Sequence, residues 1–215
     1  MNTEQIIEYF KSIFGDNKIY MSNFRGWDFE MLLEHGEFNK LDNVLDTGAL
    51  HSYFSVLLAQ FVNKITTTDD LSWADRDYFA KSGLPPITEW MKIVSEKTNG
   101  VVTAEKANIM DLPYSDNTFD KVLSISTIEH VFDDLKGMQE LKRVLKPNGL
   151  LLMTTEYNEK IDMPFDKEGF LRIYNNSSIE NLCQGFKVEM KEFNTTGQSY
   201  AGIPFGTLFI KLRKE

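Results

Sequence analysis

The chain has 215 residues, with 23 basic and 32 acidic side chains and a formal charge of −9 at pH 7. That length suits one large domain better than two small ones, and 42% hydrophobic with 26% charged residues excludes a disordered or collagen-like chain. The acidic balance argues against nucleic acid as the main partner, because a phosphate backbone selects Lys- and Arg-rich surfaces. The single Cys183 excludes an internal disulfide and a cysteine-based zinc site. No apolar run reaches the roughly 18–20 residues of a membrane span, and the polar start MNTEQ does not read as a signal peptide. The expectation is a soluble, acidic, cytoplasmic single domain. Nothing in the sequence sets the oligomeric state.

In chain order, Ile6, Ile7, Tyr9, Phe10, Ile13 and Phe14 recur at helical spacing, and Gly15-Asp16-Asn17 ends that helix. A second helix is predicted over 27–35, with Trp27, Met31 and Leu32 on one face. Residues 43–47 read as a short buried strand, followed by a turn and a helix over 52–61. Residues 64–68 form a β-branched run that ends in Asp69 and Asp70. Three more short strands are predicted at 101–104, 121–125 and 150–154, and a helix over 138–145 is stopped by Pro147 and Gly149. Ser177 or Ser178 is expected to cap a helix through Gln184. Residues 186–192 and 207–212 then read as two strands joined by a Gly-rich loop. The alternation predicts an α/β fold: a doubly wound, mostly parallel seven-stranded sheet with helices on both faces and an antiparallel C-terminal strand.

In such a sheet, ligands bind beyond the carboxyl ends of the strands. Asp46-Thr47-Gly48-Ala49-Leu50-His51-Ser52 forms a strand end, a tight turn and a helix start, with small residues where a ligand would meet backbone. Asp69 ends the next strand, about 20 positions on, where an acid can accept both hydroxyls of a ribose. Asn108 and Ile109 follow the third strand, where an amide can read the edge of an adenine and Ile can pack on its ring. Ser124-Ile125-Ser126 closes the fourth strand and runs into Thr127-Ile128-Glu129-His130-Val131.

LPYSDNTFDKV at 112–122, IEHV behind it, and ELKRVLKPNGLLLM at 140–153 follow that loop in order. Together they resemble the class I S-adenosylmethionine-dependent methyltransferases of the small-molecule type, over residues 44–154, half of the chain. The resemblance implies S-adenosylmethionine as cofactor and methyl transfer to a hydroxyl or amine of a small metabolite, with a glycan or secondary-metabolite precursor as one option. It carries Asp46 and Gly48 onto the first fixed positions of the family's D-x-G-x-G-x-G loop, with Thr47, Ala49 and His51 between and after them. Asp69 matches the ribose acid, with Asp70 able to share the task, and Asn108 and Ile109 match the adenine contacts. Ser124, Ile125 and Ser126 match the backbone that passes the methionine part. Leu50 and Ser52 depart from the later loop glycines, which motivates a second reading as an inactive or regulatory cofactor-binding domain. A nicotinamide site fares worse, since the loop lacks G-x-G-x-x-G. On this pattern a single domain spans 1–215: a helical cap at 1–40, a cofactor-binding core at 41–155, and a substrate-covering segment with the hairpin at 156–215.

His130 is the candidate catalytic base, its ring titrating nearest neutrality, and Glu129 beside it could steer it or bind a cationic substrate, as could Glu156. His51 could face cofactor or substrate, or simply hold its loop. Cys183, without basic neighbours, reads as a core thiol. Trp73, Tyr78, Phe79 and Trp90, with Phe165, Phe170 and Tyr174, supply core and an aromatic cover for a small substrate. No metal is expected, since no His/Asp/Glu cluster suggests one.

Overall fold

The computed structural model describes residues 1–21, 24–49, 51–72, 85–168 and 170–215. These form two compact units, Met1–Asn108 and Ile109–Glu215.

The first unit opens with α1 (Thr3–Phe14), fixed at its start by a reciprocal cap: Asn2 accepts from the Gln5 amide and the Gln5 side chain accepts from that of Asn2, both at 2.9 Å. The α1 face buries Ile6 and Phe10, and α2 (Gly26–His35) buries Phe29, Met31 and Leu32, whereas Trp27 is only half-buried. Three strands follow the predicted positions closely: β1 (Asn43–Thr47), β2 (Lys64–Asp69) and β3 (Val102–Lys106). They run parallel, β2 between β1 and β3, with Val44 opposite Ile65 and Ile65 opposite Val102. The helix expected over 52–61 is shorter, α3 (Phe54–Leu58). Past Leu58 the chain continues in tighter turns, the Gln60 and Phe61 amides donating to the Leu57 and Leu58 carbonyls at 3.3 and 2.9 Å, and the Asp42 carbonyl then accepts from the amides of Asn63 and Lys64 at 3.0 and 3.3 Å at the entry to β2. α4 (Ile87–Lys97) lies in the long crossover and buries Trp90 and Val94; Trp73, Tyr78 and Phe79 lie outside the described residues.

The second unit holds β4 (Phe119–Ile125), α5 (Asp134–Val144), β5 (Leu145–Tyr157), a small hairpin of β6 (Met163–Asp166) and β7 (Leu171–Ile173), α6 (Asn176–Leu182), β8 (Phe186–Tyr200) and β9 (Ile203–Lys214). β4 and β5 are parallel, β9 runs antiparallel beside β5, and β8 pairs antiparallel with β9 at the edge. Residues 150–153 of β5 and Phe209, Ile210 and Leu212 of β9 are inaccessible to solvent. They form the centre of this unit's core.

Two sequence expectations need correction here, and one element is new. The cap of α6 is Asn175, whose side chain accepts from the Ser178 amide at 3.1 Å while Ser178 Oγ accepts from the Asn175 amide at 2.9 Å. The expected Gly-rich loop is strand. Gly197 sits at φ +70° inside a bulge between Asn194 and Gln198, and the true turn is Ala201-Gly202, with φ of +48° and +79°. The β6–β7 hairpin was not foreseen; its strands are too short to show a period.

The two motif stretches of this unit meet at Arg143. Its Nε and Nη2 donate to the Glu140 carboxylate at 2.7 and 2.8 Å. Nη1 reaches the Tyr114 carbonyl and Asp116 at 2.7 and 2.9 Å, and Nη2 also reaches the Leu112 carbonyl at 2.9 Å. Lys146 adds an ion pair to Asp120 at 2.7 Å. The guanidinium thus binds the loop ahead of β4 to the end of α5, and Lys cannot reproduce that fork. Arg143→Ala is expected to lower stability by about 3 kcal/mol, or roughly 6–12 °C in a calorimetric melt, with Arg143→Lys recovering less than half.

Candidate active site

In the first unit, the carboxyl end of β1 carries Asp46, 1% exposed, with neither carboxylate oxygen partnered among the described residues. Burial raises its carboxyl from the ordinary range to about 7. Thr47 ends the strand, buried, and Gly48 turns the chain at φ +64°, a conformation open to glycine at no steric expense. The buried Ala49 donates its amide to the Thr68 carbonyl at 3.1 Å. His51 is buried at φ +56°, and its Nε2 donates to the Pro85 carbonyl at 2.6 Å. Desolvation lowers its pKa, with the bond to Pro85 acting in the opposite sense. Trp90 Nε1 donates to the Ser52 carbonyl at 3.1 Å, and Ser52 Oγ accepts from the Phe54 amide at 3.3 Å. The loop is therefore fastened to β2, to Pro85 and to α4. Leu50 lies outside the described residues.

At the end of β2, Asp69 Oδ1 accepts from the Leu71 amide at 2.8 Å, and its carbonyl accepts from the Ala107 amide at 3.0 Å. Asp70 is exposed and accepts from the Ser72 amide at 2.8 Å. Asn108 is exposed just past β3, at the last position of this unit.

In the second unit, Ile109 is half-buried at the start of the chain segment. Ser124 is inaccessible on β4 with its hydroxyl unpartnered among the described residues, and Ile125 ends the strand half-buried. Ser126 takes φ +45° and donates its amide to the carbonyl and Oγ1 of Thr154, at 3.0 and 3.1 Å. Glu129 is inaccessible; it accepts from Ser126 Oγ at 2.5 Å and from Thr155 Oγ1 at 3.1 Å. His130 ends the short turn Ile128–His130, and its Nδ1 lies 2.5 Å from the Phe170 carbonyl. A carbonyl only accepts, so Nδ1 carries a hydrogen, and in the tautomer this allows Nε2 is the nitrogen that can take up a proton. Phe170 itself sits at φ +53°, and Phe132, Phe165 and Phe170 meet edge to face at 5.8 and 6.1 Å.

Sequence reasoning missed Thr154, Thr155 and the Phe170 carbonyl as parts of this arrangement. The two threonines follow an apolar strand and could have been flagged as polar residues at its buried end, but a backbone carbonyl leaves no signal in a sequence. Cys183 is buried and its thiol is pushed up to about 11 by desolvation, as a core thiol should be. Among the described residues no His, Cys, Asp or Glu group of three or more is placed to hold a metal, and no helix is long and apolar enough to cross a membrane.

Comparison with known proteins gives this geometry a family. The family described as "Methyltransferase domain" matches residues 45–153, just over half of the chain. The chain belongs to the class I S-adenosylmethionine-dependent methyltransferases. Norajmaline N-methyltransferase of Rauvolfia serpentina is 31% identical over 88 residues, covering 38% of this chain and 30% of that protein. The ubiquinone/menaquinone biosynthesis C-methyltransferase UbiE of Klebsiella pneumoniae is 38% identical over 68 residues, covering 32% and 27%. The chain spans half or less of the length of the curated relatives it matches. A Bacillus halodurans crystal structure assigned as a methyltransferase superposes with a TM-score of 0.65 at 15% identity, over 88% of this chain and 99% of that one. That likeness bears out the α/β fold with a mostly parallel seven-stranded sheet and antiparallel C-terminal strands.

The methyltransferases take S-adenosylmethionine as methyl donor, and the first unit's residues fit it. Asp46 is a buried carboxyl group with no partner among the described residues, which a cationic donor would satisfy and an apolar core would not tolerate.

Proposed function

We propose that this methyltransferase moves a methyl group from S-adenosylmethionine to a hydroxyl or amine of a small molecule. The observation that carries the proposal is Asp46, buried near the end of β1 two residues before the left-handed Gly48, with neither oxygen partnered among the described residues. The relatives named for norajmaline N-methylation and for C-methylation in ubiquinone/menaquinone biosynthesis support a small acceptor, though not one nucleophile.

Bound S-adenosylmethionine supplies an activated methyl carbon, so the chain's task is to hold, orient and exclude water. Asp46 balances positive charge, and Asp69 offers a carboxylate at the position of the ribose acid. On the acceptor side, His130 takes the proton that a hydroxyl or amine loses on methylation. Its Nδ1 is held by the Phe170 carbonyl, which aims Nε2. Phe132, Phe165 and Phe170, packed edge to face, supply apolar cover next to the residue whose carbonyl holds that ring.

Calorimetry with S-adenosylmethionine and S-adenosylhomocysteine, followed by labelled methyl transfer to a panel of small hydroxyl and amine metabolites, tests the reading. Micromolar binding with transfer to at least one panel member is expected. No binding at millimolar concentration would sink it. Tight binding with no transfer to any acceptor class would favour the regulatory domain instead.

A further inference from the structure

Glu129 was a candidate for the chemistry, but its surroundings point elsewhere. The side chain is 0% exposed. Its partners among the described residues are two neutral hydroxyls, Ser126 Oγ at 2.5 Å and Thr155 Oγ1 at 3.1 Å. A buried carboxylate without a cation is expensive to keep. What it gains here is a hold on two segments at once. Ser126 stands at φ +45°, a region that serine rarely adopts, while Thr155 lies on β5 next to Thr154, which accepts the Ser126 amide. Three hydrogen bonds from Ser126 and one from Thr155 therefore fix the chain as it leaves β4.

That fixed segment carries the candidate machinery of this unit. Ser126 precedes the turn Ile128–His130, and His130 is pinned at its far side by the Phe170 carbonyl. Glu129 and His130 are adjacent, so one side chain anchors the turn inward and the next presents its ring outward. We propose that Glu129 is a positioning residue: its carboxylate holds Ser126 left-handed and ties the post-β4 turn to β5, setting the placement of His130 and of the 124–126 backbone. The proposal deepens the methyltransferase reading and rests on it for what the turn is placed to do. The hold itself is a property of the second unit.

The hold needs two hydrogen-bonding atoms in these places, not a negative charge. Gln keeps the shape with one acceptor and one donor, and the hydroxyl that faces its amide nitrogen can turn to accept. Glu129→Gln is therefore expected to bind S-adenosylhomocysteine within about threefold of the parent and to show unchanged hydrogen exchange over 126–130. Glu129→Ala is expected to bind it at least tenfold more weakly and to exchange at least tenfold faster over the same amides. Ser126→Gly in the Glu129→Ala background should recover most of the binding, since glycine adopts that φ unaided. If Glu129→Ala does not fold, Thr155→Val, which removes one hydroxyl and keeps the shape, should give a smaller shift of the same sign in both readouts. Equal losses in the Gln and Ala variants would overturn the proposal and assign the charge itself a role. Parent-like binding and exchange in the Ala variant would overturn it as well. A parent protein that binds no S-adenosylhomocysteine would remove the methyltransferase reading, and exchange over 126–130 would still decide whether Glu129 holds the turn.

Discussion

An Asp46→Asn protein is expected to melt above the parent at pH 8, no higher than the parent at pH 4, and to bind S-adenosylmethionine roughly 100-fold more weakly. The argument starts from the carboxyl raised to about 7 by burial, against about 3.9 in an unfolded chain. Between those values the folded state holds a proton that the unfolded state has released. Stability therefore falls as pH rises from about 4 to about 7 and is level above, which is the sign required of an acid with a raised folded pKa. At about 1.4 kcal/mol per pKa unit, the fall is on the order of 4 kcal/mol. Asparagine removes it but leaves a buried amide with its own unsatisfied groups, at about 1–3 kcal/mol. The net gain at pH 8 is then about 1–3 kcal/mol, or roughly 3–10 °C for a chain of this size. Binding runs the other way: a cationic donor favours the ionised carboxylate, so the parent's affinity should rise about tenfold per pH unit up to about pH 7 and then level off. Melting curves from pH 4 to 9 with titrations at each pH check both halves. A parent whose stability is flat across that range would remove the premise.

The same residue shows why part of the site was legible in sequence and part was not. Asp46, Gly48 and Asp69 stand where chain order and strand ends place them, because a parallel sheet aligns the carboxyl ends of its strands and local sequence marks each end. β1 and β2 were readable to within a residue, since buried parallel strands are near-continuous apolar or β-branched runs. β8 was not. Its residues are mostly exposed at the sheet edge, the alternation has no buried face to mark, and Gly197 within a bulge looks like a loop signal. His51 shows what loop position alone leaves open. It allowed a ligand contact or a role in holding the loop, and the Nε2 bond to the Pro85 carbonyl, 34 positions away, is a contact that no local pattern signals. Glu129 and His130 are adjacent in sequence but differ in burial, Glu129 being inaccessible and His130 half-buried, a difference that adjacency does not signal.

Replacement of His130 is expected to separate holding from catalysis. Asn places an amide nitrogen where Nδ1 stands, so His130→Asn keeps a donor for the Phe170 carbonyl and loses the basic Nε2; His130→Ala loses both. If His130 takes the acceptor's proton, His130→Asn should lower transfer to an accepted substrate by about 10²–10⁴-fold, the usual worth of a positioned base. Its affinity for S-adenosylhomocysteine should stay within about threefold, and exchange over β6–β7 should match the parent. His130→Ala should lose the same activity and also loosen the hairpin, because the Phe170 carbonyl and its φ of +53° are no longer held from outside. The loss in His130→Asn should also shrink as the acceptor hydroxyl becomes more acidic, since a nucleophile that ionises unaided needs no base. A structural pin would show neither that trend nor a loss in the Asn variant. Parent-like turnover in His130→Asn would reduce His130 to a latch on the hairpin and leave proton transfer to solvent.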